Sequence, residues 1–134
     1  MHKHRLRDYF RVDVNLDFKV ALISEFGVVG KTVPIVNVGT TNISGGGFFF
    51  YTSEQVQEQG LIQISLDLEE NGIVVTKGKI IRCRIVNEKG PVFGVAVRFI
   101  DQSNQESEKI LNFLFSTQRK QLSKGTYRES KQLI

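Results

Sequence analysis

Residues 12–23 read VDVNLDFKVALI, and this stretch decides the class of fold. Val12, Val14 and Leu16 begin a series of apolar residues at every second position that runs as far as Leu22. A period of two is typical of a β-strand with one face in a core and the other face in water. We therefore predict a single half-buried strand over residues 12–23.

Further segments outward from this strand show the same alternation. Asn71-Gly72 is typical of a β-hairpin turn, and Pro34 restricts its own segment to a sheet edge or to the start of a strand. Short strands separated by turns favour a mostly β fold, an antiparallel barrel of about six strands. The additional strands are predicted at residues 32–42, 48–51, 62–68, 73–86 and 92–99.

The periodicity becomes helical after residue 102. Ser103 and Glu106 fit a capping box, in which each side chain accepts a hydrogen bond from the backbone N–H of the other residue. An apolar stripe follows, so we predict one C-terminal α-helix that packs on the barrel and ends near Gly125. The stripe consists of Ile110, Leu111, Phe113 and Leu114.

The chain has 134 residues, a length that predicts one domain. We divide it into a mobile basic arm at 1–11, a barrel with its helix at 12–122, and a polar basic tail at 123–134. The net charge of +4 favours an anionic partner. No apolar run approaches the length of a membrane span, so we expect a cytoplasmic location.

The sequence lacks the common motifs of catalysis. It contains no phosphate-binding loop, no H-E-x-x-H and no G-x-S-x-G. Ser44 has no credible histidine partner, because His2 and His4 lie at the terminus. The single cysteine, Cys83, excludes a multi-cysteine metal site, and we interpret it as a small residue in or near the core. We therefore predict no enzyme activity, no catalytic residue and no metal.

Two segments carry the candidate binding residues. Residues 7–11 read RDYFR and residues 42–47 read NISGGG. The planar guanidinium group matches both phosphate oxygens and the Hoogsteen edge of guanine, and amides of a Gly-rich turn add donors. Together the segments favour a guanine-containing phosphodiester ligand. The three glycines have two open explanations, a turn with positive φ and a close approach by a ligand.

In this order the two segments resemble the signature of the PilZ domain family, R-x-x-x-R followed by [D/N]-x-S-x-x-G. Asn42 takes the Asp-or-Asn position, and FGVAVRF at residues 93–99 also resembles the family. PilZ domains bind the bacterial second messenger cyclic di-GMP, so the resemblance implies this ligand and no separate cofactor. Leu6 stands where the family often has a basic residue, which leaves the ligand stoichiometry open.

The resemblance also implies roles for individual residues. Arg7 and Arg11 would bind guanine edges and phosphates, and Gly47 would hold the turn. Asn42 and Ser44 would hydrogen-bond the other guanine or the ribose-phosphate. Arg5 would add positive charge to the arm.

The expected mechanism is an effector in which ligand binding folds the arm over the barrel, and a separate protein reads the changed surface. One alternative is a PilZ-like adaptor that no longer binds ligand, which the intact arginines at Arg7 and Arg11 oppose. The other is an RNA-binding β-barrel. That alternative requires exposed aromatic residues, whereas we predict that the aromatic run at 48–51 packs in the core with a solvated Tyr51.

Overall fold

The structure is a computed structural model, and it describes residues 11–39 and 41–123. Arg5, Arg7 and most of the predicted arm lie outside the described residues, as do Gly125 and nearly all of the predicted tail. Within the described part, no helix is long and apolar enough to cross a membrane.

The described chain forms eight β-strands and one long α-helix. All strand pairs are antiparallel, and the order across the sheet is β1-β4-β5-β8-β7-β6-β2-β3. The strands are β1 Arg11–Val14, β2 Phe18–Ile23, β3 Val29–Val33, β4 Thr41–Ser44, β5 Gly47–Thr52, β6 Leu61–Asp67, β7 Ile73–Asn87 and β8 Val92–Ile100, a 3-10 turn spans Glu69–Asn71, and α1 is Asn104–Ser123.

The mostly β, antiparallel fold with a C-terminal helix is confirmed, but two details differ from the prediction. The sheet has eight strands rather than about six. It also does not close into a barrel, because β1 and β3 are its two edges and are not paired with each other in the described chain. Side chains from all eight strands and from α1 nevertheless share one hydrophobic core.

The prediction of one strand over residues 12–23 is wrong, because the stretch forms β1 and β2 with a break at residues 15–17. The cause is the sheet topology. β1 pairs with β4 near one edge, whereas β2 pairs with β3 and β6 near the other, so the chain must cross between them. Val12, Val14 and Val20 are all buried, so the alternation identified the inner face on both strands.

The predicted strand at 32–42 is also two shorter pieces. β3 ends at Val33, directly before Pro34, and β4 begins only at Thr41. A proline has no backbone N–H to give to a ladder, which explains the stop at this point.

The predicted capping box of α1 is confirmed. The N–H of Glu106 donates to Oγ of Ser103 at 3.1 Å, and the N–H of Ser103 donates to Oε1 of Glu106 at 3.3 Å. Ile110, Phe113 and Leu114 of the predicted stripe are buried in the core. The helix therefore covers the inner face of the sheet and leaves the other face available.

Candidate ligand-binding groove on the outer face of the sheet

The sheet has an inner face, which packs on the core, and an outer face, which points away from it. Paired residues of neighbouring strands share a face, so the strand register shows which side chains lie together. One outer row crosses five strands, from β1 to β7. Its members are Asp13, Asn42, Phe49, Ala96 and Arg82.

A groove of about 370 Å³ lies along this row, and we call it the outer groove. It brings together residues that are far apart in sequence, from both ends of the five-strand row. Its lining consists of Arg11, Asn42, Phe49, Arg82, Arg84, Val86, Gly94 and Ala96.

Arg11 and Asn42 come from the two different sequence motifs, and the structure joins them directly. Nη1 of Arg11 donates a hydrogen bond to Oδ1 of Asn42 at 3.2 Å. The contact follows from the pairing of β1 with β4, which places Arg11 beside Ser44 and Asp13 beside Asn42. Because the amide is neutral, this contact does not compensate the charge of the guanidinium, which also retains further donors for a ligand.

Ser44 also belongs to the second motif, but its hydroxyl is used within the protein. The side chain is 1% exposed, and its Oγ accepts hydrogen bonds from the N–H groups of Gly46 and Gly47 at 3.2 and 3.1 Å. Such a contact fixes the turn between β4 and β5. In this structure Ser44 thus supports the shape of the turn beside Arg11.

Gly47 is required by close packing of the backbone. Its φ does not lie in the left-handed region, and a Cβ at this position would overlap the carbonyl oxygen of Val97 on β8. For Gly47, the neighbouring strand therefore accounts for the missing side chain, and the first of the two open explanations, a turn with positive φ, does not apply.

Arg98 of β8 lies opposite Gly47 and is exposed on the outer face. It is outside the lining of the outer groove. The other candidates, Arg5 and Arg7, precede the described residues, so Arg11, Asn42, Ser44 and Gly47 are the predicted site residues that the structure places.

The aromatic run of β5 is divided between the two faces. Phe48 and Phe50 are buried in the core, which confirms the core prediction for these two. Phe49 and Tyr51 are half-buried on the outer face, in an edge-to-face pair with ring centroids 5.1 Å apart. The core prediction is therefore wrong for Phe49, whose ring lines the outer groove.

Arg82 and Arg84 are groove residues that sequence reasoning does not find. Val74, Thr76 and Ile80 of β7 are buried at even-numbered positions, so continued alternation would turn Arg82 and Arg84 toward the core. A register shift between Ile80 and Arg82 inserts one extra residue and reverses the faces. Cys83 then packs against the core, as the sequence predicts, and both arginines point outward.

The electrostatic character of the groove is positive. Among the described residues that line it, three are arginines and none is acidic. Asp13 lies in the same row, and Oε2 of Glu58 accepts the N–H of Cys83, between Arg82 and Arg84, at 3.0 Å. The two ion pairs found within residues 11–39 and 41–123, Lys31–Glu54 and Lys120–Glu70, lie elsewhere. The described residues also contain no cluster of His, Cys, Asp and Glu that could hold a metal ion. The groove is suited to an anionic ligand with flat, polar groups.

Comparison with solved structures shows where this fold occurs. The chain resembles YcgR of Escherichia coli in complex with c-di-GMP, with a TM-score of 0.65 and 16% identity over 87% of this chain and 47% of that one. The PilZ domain of YcgR with c-di-GMP gives a TM-score of 0.61 and 16% identity, over 89% of this chain and 96% of that one. The MrkH–c-di-GMP complex of K. pneumonia gives a TM-score of 0.63 and 16% identity, over 85% of this chain and 53% of that one.

The chain thus spans about half the length of the longer solved structures that it matches. No curated protein matches it. The family model of the PilZ domain matches residues 5–116, a range that contains both motifs and every strand of the sheet. This match covers most of the sequence, and the chain belongs to the PilZ domain family.

Proposed function

We propose that this chain is a cyclic di-GMP-binding effector or adaptor, with its ligand site in the outer groove. The observation that carries the proposal is the hydrogen bond between Arg11 and Asn42 at the groove wall. It joins the two sequence motifs on one surface, beside Arg82 and Arg84, which form no ion pair with any residue that the structure describes. YcgR and MrkH, which share the fold, are both known from structures in complex with c-di-GMP.

The ligand chemistry matches the groove in charge and in shape. Cyclic di-GMP carries two phosphates and two guanines, and a guanidinium group can contact either bidentately. Arg11 is exposed and has a neutral partner, so its charge is available to the ligand. Arg7 would supply the second guanidinium of the first motif, with Arg5 adding charge.

The second motif would act partly through direct contact and partly through shape. Asn42 would hydrogen-bond the ligand with the groups that Arg11 leaves free. Ser44 would hold the turn through its two backbone contacts, and Gly47 would allow β5 to approach β8 closely. This assignment gives Ser44 a smaller direct role than the resemblance alone implies.

The output would be a change of surface rather than catalysis. The ligand's phosphates would neutralise Arg7 and Arg11, and residues 1–10, which precede β1, would fold against the outer face. A separate cytoplasmic protein would then bind the changed surface. Amide exchange at Tyr9 and Phe10 should slow when cyclic di-GMP binds, and an unchanged rate in the saturated complex would contradict this part of the proposal.

Calorimetric titration with cyclic di-GMP tests the proposed ligand. Cyclic di-AMP is the matched control, because adenine presents a donor where guanine presents the acceptor O6. We expect saturable binding of cyclic di-GMP and at least a hundredfold weaker binding of cyclic di-AMP, about 2.7 kcal/mol. No binding of cyclic di-GMP would favour the adaptor without ligand, whereas tight binding of a short RNA would favour the RNA-binding alternative.

A further inference from the structure

We infer that the ligand site of this chain extends onto β7, where Arg82 and Arg84 bind the second phosphate-and-guanine half of the dinucleotide. This inference rests on the proposed function and adds to it a second wall of the site. Both arginines lie outside the two sequence motifs. They come from the opposite side of the outer groove from Arg11 and Asn42.

The two halves of cyclic di-GMP are identical, so a second set of side chains can bind the half that the first set leaves free. Arg11 with Asn42 occupies only the β1–β4 side of the groove. β1 and β7 are separated by four strand spacings, which amount to about 19 Å along the sheet at about 4.8 Å each. Long side chains that extend inward from both walls leave a space between them, and β5 and β8 form its floor.

The floor of this space is made of small residues and one aromatic ring. Ala96 lies opposite Arg82 and Gly94 lies opposite Arg84. The ring of Phe49 lies so close to Gly94 that an added Cβ would be 2.8 Å from its Cζ. The ring is half-buried and lines the groove, so it offers a surface on which a base can stack.

The bulge in β7 is an independent reason to regard the two arginines as functional. Without the extra residue at Ile81, the strand would turn Arg82 and Arg84 toward the core. Bulges occur often beside functional sites, where they redirect a side chain. Here the bulge directs two guanidinium groups into the groove that already contains Arg11.

The charges on this wall have no internal partner in the described chain. The closest acidic contact on this part of β7 is Glu58, whose Oε2 accepts the N–H of Cys83 at 3.0 Å. Glu58 forms no ion pair with Arg82 or Arg84, and both side chains are exposed. Solvated surface arginines would also be exposed, but three of them around one groove repel each other. A ligand with two phosphates relieves that repulsion.

The test is calorimetric titration of cyclic di-GMP into the full chain and into five variants, one of which is Arg11→Ala. Arg82→Ala and Arg84→Ala should each weaken binding about tenfold, and the double variant should weaken it about a hundredfold. Lys77→Ala is the matched control, because Lys77 is exposed on the same strand but lies outside the groove, and it should change affinity less than threefold. Thermal unfolding of each variant confirms that the fold is retained.

A second measurement separates a two-walled site from general attraction by charge. Guanosine monophosphate is half of the ligand and cannot contact both walls at once. The ratio of the affinities for cyclic di-GMP and guanosine monophosphate should therefore fall at least tenfold in the double variant. An unchanged ratio would overturn the inference.

The outcomes distinguish failure of the inference from failure of the proposed function. If Arg11→Ala weakens binding but the double variant binds like the unmodified chain, the inference is overturned and the proposed function stands. If Lys77→Ala weakens binding as much as Arg84→Ala, the contribution of β7 is diffuse charge and the inference is overturned. If the unmodified chain does not bind cyclic di-GMP, both are overturned.

Discussion

Strand β5 carries aromatic side chains on both faces, and the surroundings of the two faces differ. On the inner face, Phe48 and Phe50 are 2% and 1% exposed and stack with ring centroids 6.0 Å apart. Phe18 meets Phe48 edge-on at 4.8 Å. On the outer face, Phe49 and Tyr51 are only half-buried, and Phe49 lines the groove. Because the strand is pleated, phenylalanines of β5 pack in the core at positions 48 and 50 and line the groove at position 49.

The same division extends across the sheet. The inner face is apolar and is covered by α1, whereas the outer face carries most of the basic residues of the strands. These are Arg11, Lys19, Lys77, Lys79, Arg82, Arg84 and Arg98. We therefore expect inner-face substitutions to change the free energy of unfolding, and substitutions of the arginines that line the outer groove to change ligand affinity.

The largest expected effect is on stability, from truncation of an inner-face ring. Phe50→Ala should lower the free energy of unfolding by about 3–5 kcal/mol, because it leaves a cavity in a packed core. Urea unfolding measures the change, and Phe49→Ala is the matched control from the same strand. A loss for Phe49→Ala as large as that for Phe50→Ala would contradict the division between the faces.

The next effect is on ligand binding, from removal of an outer-face charge. Arg11→Ala should weaken cyclic di-GMP binding by about 1.5–3 kcal/mol, since it removes a charge-assisted contact. Its effect on stability should stay within about 0.5 kcal/mol, as is usual for an exposed residue. Calorimetry and urea unfolding measure the two quantities.

Arg119→Ala is the control for that experiment, because Arg119 is an exposed arginine of α1 outside the groove. It removes the same charge and should leave affinity nearly unchanged. Equal losses for the two variants would mean that affinity depends on net charge, and the outer groove would lose its assigned role.

A smaller effect on stability is expected from Ser44, which ends β4 and holds the turn to β5. Ser44→Ala leaves the N–H groups of Gly46 and Gly47 without their acceptor in a buried place, and it should reduce stability by about 1–2 kcal/mol. Ser24 makes the same type of contact to Phe26 and Val28, but in an exposed turn.

Ser24→Ala is therefore the control, and urea unfolding should show almost no loss because water replaces the hydroxyl. In Ser44→Ala, the loss in the free energy of ligand binding should be no larger than the loss in the free energy of unfolding. A much larger loss of affinity than of stability would mean that the hydroxyl contacts the ligand directly.

Local patterns were sufficient to predict much of the fold. Alternation at 62–68 identified the inner face of β6, where Ile62, Ile64 and Leu66 are fully buried, and the capping box placed the start of α1. The break at residues 15–17 could not be predicted in this way. It depends on which strands β1 and β2 pair with, and that information is not local.

In the candidate site, too, local sequence patterns identify some residues and miss those that depend on strand pairing. Arg11 and Asn42 could be selected from their sequence motifs, and the pairing of β1 with β4 brings them together. Arg82 and Arg84 could not be selected, because the extra residue in β7 reverses the faces that alternation assigns. The role of Gly47 also depends on a non-local contact, the carbonyl of Val97.

The most direct test of the central claim is a two-dimensional amide NMR titration of the full chain with cyclic di-GMP. We predict saturable shifts of the amides of Arg11, Asn42 and Phe49, which line the outer groove. The amides of β2, β3 and β6, at the far side of the sheet, should stay nearly unchanged. Saturable binding with shifts confined to β2, β3 and β6, and none at Arg11 or Asn42, would contradict the account.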